Sequence, residues 1–201
     1  MQKKRIFLFM VISIIVLLES VNAQDFKVGL TVTPFGTNNI FRFTSLEGDG
    51  SYSGDGFYIA GITCQIPITS RLDIETGFEY SNHTILITPA FYPDRDMTSS
   101  KSKITLASIP VTLKMNFLKY FFVNGGCLLD LETSTSSSID NQTGLAAILG
   151  FGLKYDFKFG GSIFANPYLK CHSLFPFSPE RYHQRLFESG IRIGVVYNLS
   201  K

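Results

Sequence analysis

The sequence predicts an all-β fold, an antiparallel up-and-down barrel of about eight strands, and two observations predict it. First, apolar and polar residues alternate along eight runs after residue 24, as in strands with one apolar and one polar face. Second, the links between these runs alternate between short and long, so all long loops emerge at one end of a meander. No window after residue 24 shows the apolar spacing of a helix. Eight strands form a small barrel whose interior is filled by side chains.

Each run is justified by its own alternation. The clearest is the third, in which Leu72, Ile74 and Phe78 oppose Asp73 and Glu75. The seventh is the least regular. The eight runs are 26–33, 57–67, 72–81, 104–117, 121–132, 144–157, 162–172 and 187–199.

The links differ in length and composition. The short ones are 68–71, 118–120 and 158–161, and the long ones are 35–56, 82–103, 133–143 and 173–185. Because the link 133–143 is rich in Ser and Thr, we expect it to be mobile. The segment 84–92 is unusually apolar for a loop, and two interpretations stay open. Either the third and fourth strands continue beyond the membrane surface and pair there, or the segment is an adhesive patch for a partner or lipid.

The two faces of the barrel differ in charge. The apolar face is nearly free of charge, whereas the polar face carries Asp73, Glu75, Glu79, Lys114, Asp130, Glu132, Lys154, Asp156, Glu188 and Arg192. Periodicity alone does not say which face points inward. A soluble barrel that binds a hydrophobic ligand has its apolar face inside, and a transmembrane barrel has it outside. The run lengths, the Phe and Tyr residues at the run ends and an export signal all favour the transmembrane barrel.

The N-terminus has the three parts of a secretory signal peptide. A basic stretch at 3–5 precedes an apolar run at 6–18, and Val21 and Ala23 stand before the expected cleavage site. The apolar run is shorter than the roughly 20 residues of a membrane-spanning helix. The predicted parts of the chain are therefore residues 1–23, the signal peptide, and residues 24–201, an outer-membrane β-barrel domain.

Composition excludes two classes of protein. Hydrophobic residues make up 45% of the chain and charged residues 17%, so the chain is not intrinsically disordered. The net charge of +2 does not indicate a nucleic-acid binder. The three cysteines, Cys64, Cys127 and Cys171, have neither a metal-binding nor a disulfide-framework spacing.

Four segments resemble the PorT-like outer-membrane β-barrel family of Gram-negative bacteria. They are 71–81, 106–117, 121–132 and 144–157, and their most specific patterns are Ile-Pro-Val-x-Leu-Lys at 109–114 and Gly-Phe-Gly-Leu-x-Tyr at 150–155. The resemblance implies an eight-stranded barrel of the cell outer membrane and implies no catalytic residue. One departure is the C-terminus, which ends in Lys201 rather than in the aromatic residue of many outer-membrane barrels.

The search for chemistry predicts no catalytic, cofactor or metal site. His83, His172 and His183 do not have the spacing of paired metal ligands. A lipid-modifying triad of His172 and Ser173 with Glu180 or Glu188 is conceivable at the loop end, but no motif fixes its geometry. We therefore expect a non-enzymatic envelope protein that acts through structural anchoring or through partner binding by its long loops. The expected partners are outer-membrane lipid and an envelope protein at the long loops, without nucleic acid, and the open alternative is a small pore.

If the polar face points inward, its charges should form an interior cluster. The predicted members are Glu75, Glu79, Lys114, Asp130, Lys154 and Arg192. We expect Lys114 to lie between Glu75 or Glu79 and Asp130. We expect Arg192 to reach Glu188 or the surroundings of Lys27. On this basis Lys114→Met should destabilise the barrel by about 3 kcal/mol or more, and Leu113→Met, on the opposite face, by less than about 1.5 kcal/mol.

Overall fold

Eight antiparallel strands form a closed barrel. The computed structural model describes residues 26–43, 50–90, 98–134, 137–178 and 181–199. The strands are β1 (Lys27–Phe41), β2 (Ser51–Pro67), β3 (Leu72–Thr88), β4 (Ser100–Phe117), β5 (Phe121–Glu132), β6 (Gly144–Asp156), β7 (Gly161–Pro176) and β8 (Arg185–Asn198). Each strand pairs with the next in the sequence, and β1 pairs with β8 to close the barrel. The predicted barrel topology is confirmed, and the predicted signal peptide lies outside the described residues.

The strands extend further toward the long-loop end than the alternation predicts. β3 has 17 residues and β4 has 18, whereas a tilted strand crosses a bilayer with about 9–11. Pairing continues as far as Ile87 and Ser100, so the described part of the apolar segment, up to Thr88, belongs to a strand. Ile85 in this segment is fully buried. These contacts agree with the first interpretation of the segment, in which the strands continue and pair beyond the membrane.

The apolar face points outward and the polar face points inward. Leu149, Val111 and Leu113 are 66%, 57% and 53% exposed, whereas Lys114 and Glu75 on the alternate positions are almost completely buried. The arrangement contradicts the soluble barrel with an apolar interior. No helix among the described residues is long and apolar enough to span a membrane.

Aromatic side chains form a group at the short-turn end of the outer surface. The rings of Tyr120 and Tyr155 stack with their centroids 6.3 Å apart, and Phe157 packs on Tyr155 at 4.9 Å. Such aromatic residues are typical of the membrane–water interface, where an amphipathic ring is favourable.

Apolar side chains form two layers inside the barrel, one toward each end. Phe122, Phe164 and Val196 pack together near the short turns. Ile85, Ile104, Leu106, Ile139 and Leu186 pack together near the long loops. Two glycines make room for the large rings, because a Cβ at Gly152 would overlap Phe122 and a Cβ at Gly194 would overlap Phe164. The charged side chains lie between these two apolar layers.

Candidate functional site

The charged interior has a lower half, toward the short turns, and an upper half, toward the long loops. The lower half is centred on two acids of β3. Arg192 Nη2 lies 2.6 Å from Glu75 Oε1, and Arg192 Nη1 lies 3.6 Å from Glu79 Oε1. Lys114 Nζ is 4.0 Å from Glu75 Oε2, which also accepts a hydrogen bond from Gln65 Nε2 at 3.1 Å. Because β1 and β2 separate β8 from β3 in the sheet, Arg192 reaches its partners across the lumen.

Aromatic rings support the cation of Lys114. Its Nζ lies 4.3 Å from the centroid of Phe122 and 5.1 Å from that of Phe164. A desolvated cation over a ring face is stabilised by the quadrupole of the ring. Lys114 is therefore held as much by the aromatic layer below it as by Glu75.

The upper half is centred on Lys170 of β7. Its Nζ donates to Glu79 Oε2 at 2.9 Å and lies 3.0 Å from Glu188 Oε1. Tyr168 donates its hydroxyl to Glu188 Oε1, also at 3.0 Å. Lys170 therefore connects Glu79 of β3 with Glu188 of β8, and all three charged side chains are buried.

Two histidines complete the upper half. His172 Nδ1 lies 2.6 Å from Asp130 Oδ2, and Ser108 donates to Asp130 Oδ1 at 2.6 Å. The Nε2 atoms of His172 and His83 lie 3.5 Å and 3.4 Å from Glu188 Oε2. All these side chains are buried, so the described charges form one continuous network from Lys114 to Asp130.

The structure brings five of the six predicted residues into this network. Glu75, Glu79, Lys114 and Arg192 meet in its lower half, and Asp130 joins it through His172 instead of contacting Lys114. The predicted position of Lys114 between β3 and Asp130 is therefore wrong. The reason is the register, in which Asp73 and Asn124 are the neighbours of Lys114, and Asp130 lies opposite Ser108.

Two further expectations need correction. Lys154 pairs with Asp156 at the short-turn end, with 3.4 Å between its Nζ and Asp156 Oδ2, and not with the described acids of the lumen network. Arg192 contacts the acids of β3 and not Glu188 or the region of Lys27. In a narrow barrel, an inward side chain points at the barrel axis. The long side chain of Arg192 therefore reaches the opposite wall more readily than it reaches Glu188, which lies on the same strand.

The sequence interpretation missed Lys170 and placed His83 and His172 at the loop end. The signal was present, because Phe164, Asn166, Tyr168, Lys170 and His172 alternate along the seventh run and are all buried. Two residues make the alternation of this run hard to recognise in the sequence. Pro167 lies at an outward position, and Lys170 is a charged residue in a largely apolar stretch.

The conceivable rim triad is not assembled. His172 is bonded to Asp130, and Ser173 Oγ is instead 2.8 Å from His183 Nε2. Glu180 lies outside the described residues. Ser173 has a φ of 49° and is fully buried, so no substrate-accessible nucleophile is presented by this pair.

A folded loop covers the extracellular mouth. Gln142 Nε2 donates to Gln184 O at 2.8 Å, and Leu186 N donates to Gln142 Oε1 at 2.9 Å. Asp140 accepts a hydrogen bond from Gln184 N at 2.8 Å, and Ile139 packs into the upper apolar layer. These hydrogen bonds join residues 137–143 to β8 and to the segment before it, which argues against the expected mobility of this part of the link.

The short-turn end is open and polar. A cavity of about 590 Å³ lies there, and its walls include Lys27, Asp73, Lys154, Asp156 and Asn198. The Phe122 and Phe164 rings lie further along the lumen, at the level of Lys114. The cavity is therefore a polar vestibule, and its wall includes Gln65, which donates a hydrogen bond to Glu75 of the charged network.

A closed antiparallel barrel with a lipid-compatible outer surface, a polar interior and long loops at one end defines an integral outer-membrane β-barrel protein. The structure is similar to that of outer membrane protein AlkL determined by solid-state NMR in lipid bilayers, with 11% identity, a TM-score of 0.54 and coverage of 90% of this chain and 94% of that chain. It is also similar to outer membrane protein OprG from Pseudomonas aeruginosa, with 15% identity, a TM-score of 0.44 and coverage of 90% and 98%. No family model matches the sequence, and no curated protein matches it. At such identities the likeness to AlkL concerns the fold alone.

Proposed function

We propose that this barrel is a non-enzymatic, non-conducting envelope protein that anchors itself in the outer membrane and presents its extracellular rim to an envelope protein. The observation that carries the proposal is the filled lumen. Two apolar layers and the ion-paired network between them leave the charged side chains almost without solvent exposure. A conducting pore needs a continuous aqueous path, so the filled lumen supports the anchoring function over the small pore.

The rim offers a surface for a partner. Phe43, Phe175 and Phe177 are 67%, 66% and 59% exposed among the described residues of the long-loop end. Arg185 lies 4.3 Å over the Phe43 ring, which combines a cation with an aromatic surface. Exposed aromatic residues and arginine are enriched at protein interfaces, and this composition supports partner binding at the rim.

The resemblance to the PorT-like family belongs to the same proposal. Its two most specific patterns fall in β4 at 109–114 and in β6 at 150–155, on either side of β5. Both patterns alternate lipid-facing side chains with small or polar inward ones, so they support a common barrel architecture and say nothing about a reaction.

Planar-bilayer recording tests the filled lumen. The mature chain, refolded and inserted into a lipid bilayer, should give no steady conductance. Steady single-channel steps would refute the proposal and favour the small pore. The electrophoretic mobility of the same sample before and after heating shows that the inserted protein is folded.

Site-specific photo-crosslinking in living cells tests the partner. A photoreactive side chain at Phe177 should form an adduct with one envelope protein. The matched control position is Phe159, which is 64% exposed but lies in a short turn at the opposite end. An adduct at neither position, or the same adduct at both, would contradict partner binding at the rim.

A further inference from the structure

Three potential metal ligands converge inside the upper half of the barrel. They are His83 on β3, His172 on β7 and Glu188 on β8, and all three side chains are fully buried. Glu188 Oε2 lies 3.4 Å from His83 Nε2 and 3.5 Å from His172 Nε2. Closure of the barrel brings the three residues together, since no two of them lie near each other in the sequence.

Hydrogen bonds orient two of the three ligands. The contact of His172 Nδ1 with Asp130 orients the ring and places a proton on that nitrogen, so Nε2 carries the lone pair when the imidazole is neutral, as in metal sites where a carboxylate supports a histidine. Glu188 Oε1 accepts from Tyr168 and contacts Lys170, whereas Glu188 Oε2 has no hydrogen-bond partner among the described residues. His172 Nε2 also has none. Buried polar atoms rarely lack a partner, so two such atoms facing each other need an explanation.

The charges of the network leave room for a cation. Its described carboxylates are Glu75, Glu79, Asp130 and Glu188, and its permanent cations are Lys114, Lys170 and Arg192. Four negative charges against three positive ones leave a net charge of −1 when both histidines are neutral. A buried uncompensated negative charge is costly, so added positive charge is favoured, and a proton on a histidine brings the sum to zero whereas a divalent ion brings it to +1.

The geometry points to the cation. Ligands bonded to Zn²⁺ at about 2.0–2.2 Å in a tetrahedron lie about 3.3–3.6 Å apart, which includes both distances from Glu188 Oε2. We propose that His83, His172 and Glu188 bind one divalent transition-metal ion of the Zn²⁺ type. Two imidazoles and one carboxylate suit such an ion, whereas Ca²⁺ prefers six to eight oxygen ligands. Ser81 Oγ lies 3.1 Å from His83 Nε2, and this contact would give way to the metal bond if Nε2 is the ligand atom.

The three ligands are enclosed by other side chains, so we expect the metal ion to bind while the barrel folds and to have a structural role. Phe57 stacks on the His83 ring with a centroid distance of 5.2 Å, and the upper apolar layer lies between the site and the loops. A bound ion would connect β3, β7 and β8 across the lumen. It would therefore stabilise the closed barrel without taking part in a reaction.

Metal analysis of the refolded protein tests the site. The mature chain is refolded in detergent with Zn²⁺ or Co²⁺, freed of unbound metal by gel filtration and analysed for metal content. We expect one equivalent of tightly held metal, and the Co²⁺ form should show the intense visible absorption of tetrahedral coordination. Retention of no metal, or a Co²⁺ spectrum without tetrahedral bands, would overturn the proposal and leave a histidine proton as the balancing charge.

Histidine variants locate the ion. His83→Gln and His172→Gln should each lose the bound equivalent. The matched control His183→Gln removes a buried histidine of the same end whose Nε2 contacts Ser173 instead, and it should keep the metal. Heat-dependent mobility shows which variants fold. Folded His83→Gln and His172→Gln proteins that retain metal like the wild type would refute the assignment. If neither variant folds, the Co²⁺ spectrum of the wild type decides whether the barrel binds a metal ion in tetrahedral coordination.

Discussion

Lys170 is the side chain whose loss should destabilise the barrel most among its interior lysines. Its ammonium contacts Glu79 at 2.9 Å and Glu188 at 3.0 Å, and all three side chains are almost completely buried. Lys170→Met keeps much of the volume but removes the cation between two carboxylates. Removing one partner of a buried ion pair costs about 3–5 kcal/mol, because the remaining charge is left without compensation. We expect a loss in this range.

Lys114→Met provides the comparison, and the structure lowers the expected cost of this change. Lys114 is 4.0 Å from its acid Glu75, which keeps Arg192 at 2.6 Å and Gln65 at 3.1 Å when the lysine is absent. What is lost is mainly the cation–π contact, and a methionine can still pack on the two rings. The expected cost is about 1–2 kcal/mol, below the 3 kcal/mol expected from the sequence.

Urea unfolding of the refolded barrel in lipid vesicles measures both changes. Leu113→Met is the control on the lipid-facing side, since Leu113 is 53% exposed, and should cost less than about 1.5 kcal/mol. Equal losses for Lys170→Met and Lys114→Met would refute the reasoning, because they would mean that the number and distance of buried acids do not set the cost. Small losses at both would mean that water screens the interior charges.

Three further predictions concern the wall, the aromatic layer and the mouth. Val111→Lys places a charge on the lipid-facing surface and should destabilise the inserted barrel by about 2–4 kcal/mol in vesicle unfolding, whereas unchanged stability would argue against a lipid-facing position. Gly152→Ala should lower the free energy of unfolding by about 1–3 kcal/mol because the new Cβ would overlap Phe122. The control is Gly125→Ala, whose Cβ would have only ordinary contacts, and equal effects of the two changes would contradict the packing argument. Gln142→Leu should accelerate amide exchange in the loop that covers the mouth, and unchanged exchange would show that its bonds to β8 do not hold the loop.

The barrel itself could be predicted because its topology follows from local patterns in the sequence. Alternation assigns each residue to a face, and link lengths assign each turn to an end, so topology follows without long-range information. The strand ends could not be predicted in this way. Toward the long-loop end, polar residues such as Asn38 and Ser100 lie within paired strands, where their backbone hydrogen bonds to a neighbouring strand decide the conformation. Polarity alone made these residues resemble loops.

The interior pairs could be predicted only in part, for a geometric reason. The sequence identifies the inward residues, but the partner of each depends on strand register and on which residues face it from the opposite wall of the lumen. Glu75 and Arg192 are far apart in the sheet and still meet at 2.6 Å. The cluster of His83, His172 and Glu188 has the same origin, so no spacing motif in the sequence announces it.

The buried charges specify how the barrel is arranged more than they stabilise it. An apolar filling of similar volume would be as stable as a buried ion network or more so, because each charge loses its hydration. A wholly apolar strand, however, would have two equivalent faces, and a shift of one residue would exchange them at little cost. With Lys114, Lys170 and Arg192 on the inward face, the same shift would place cations in the lipid at about 2–4 kcal/mol each near the midplane. The network therefore favours one register and one inward face during membrane insertion, which a wholly apolar filling of the lumen would not do.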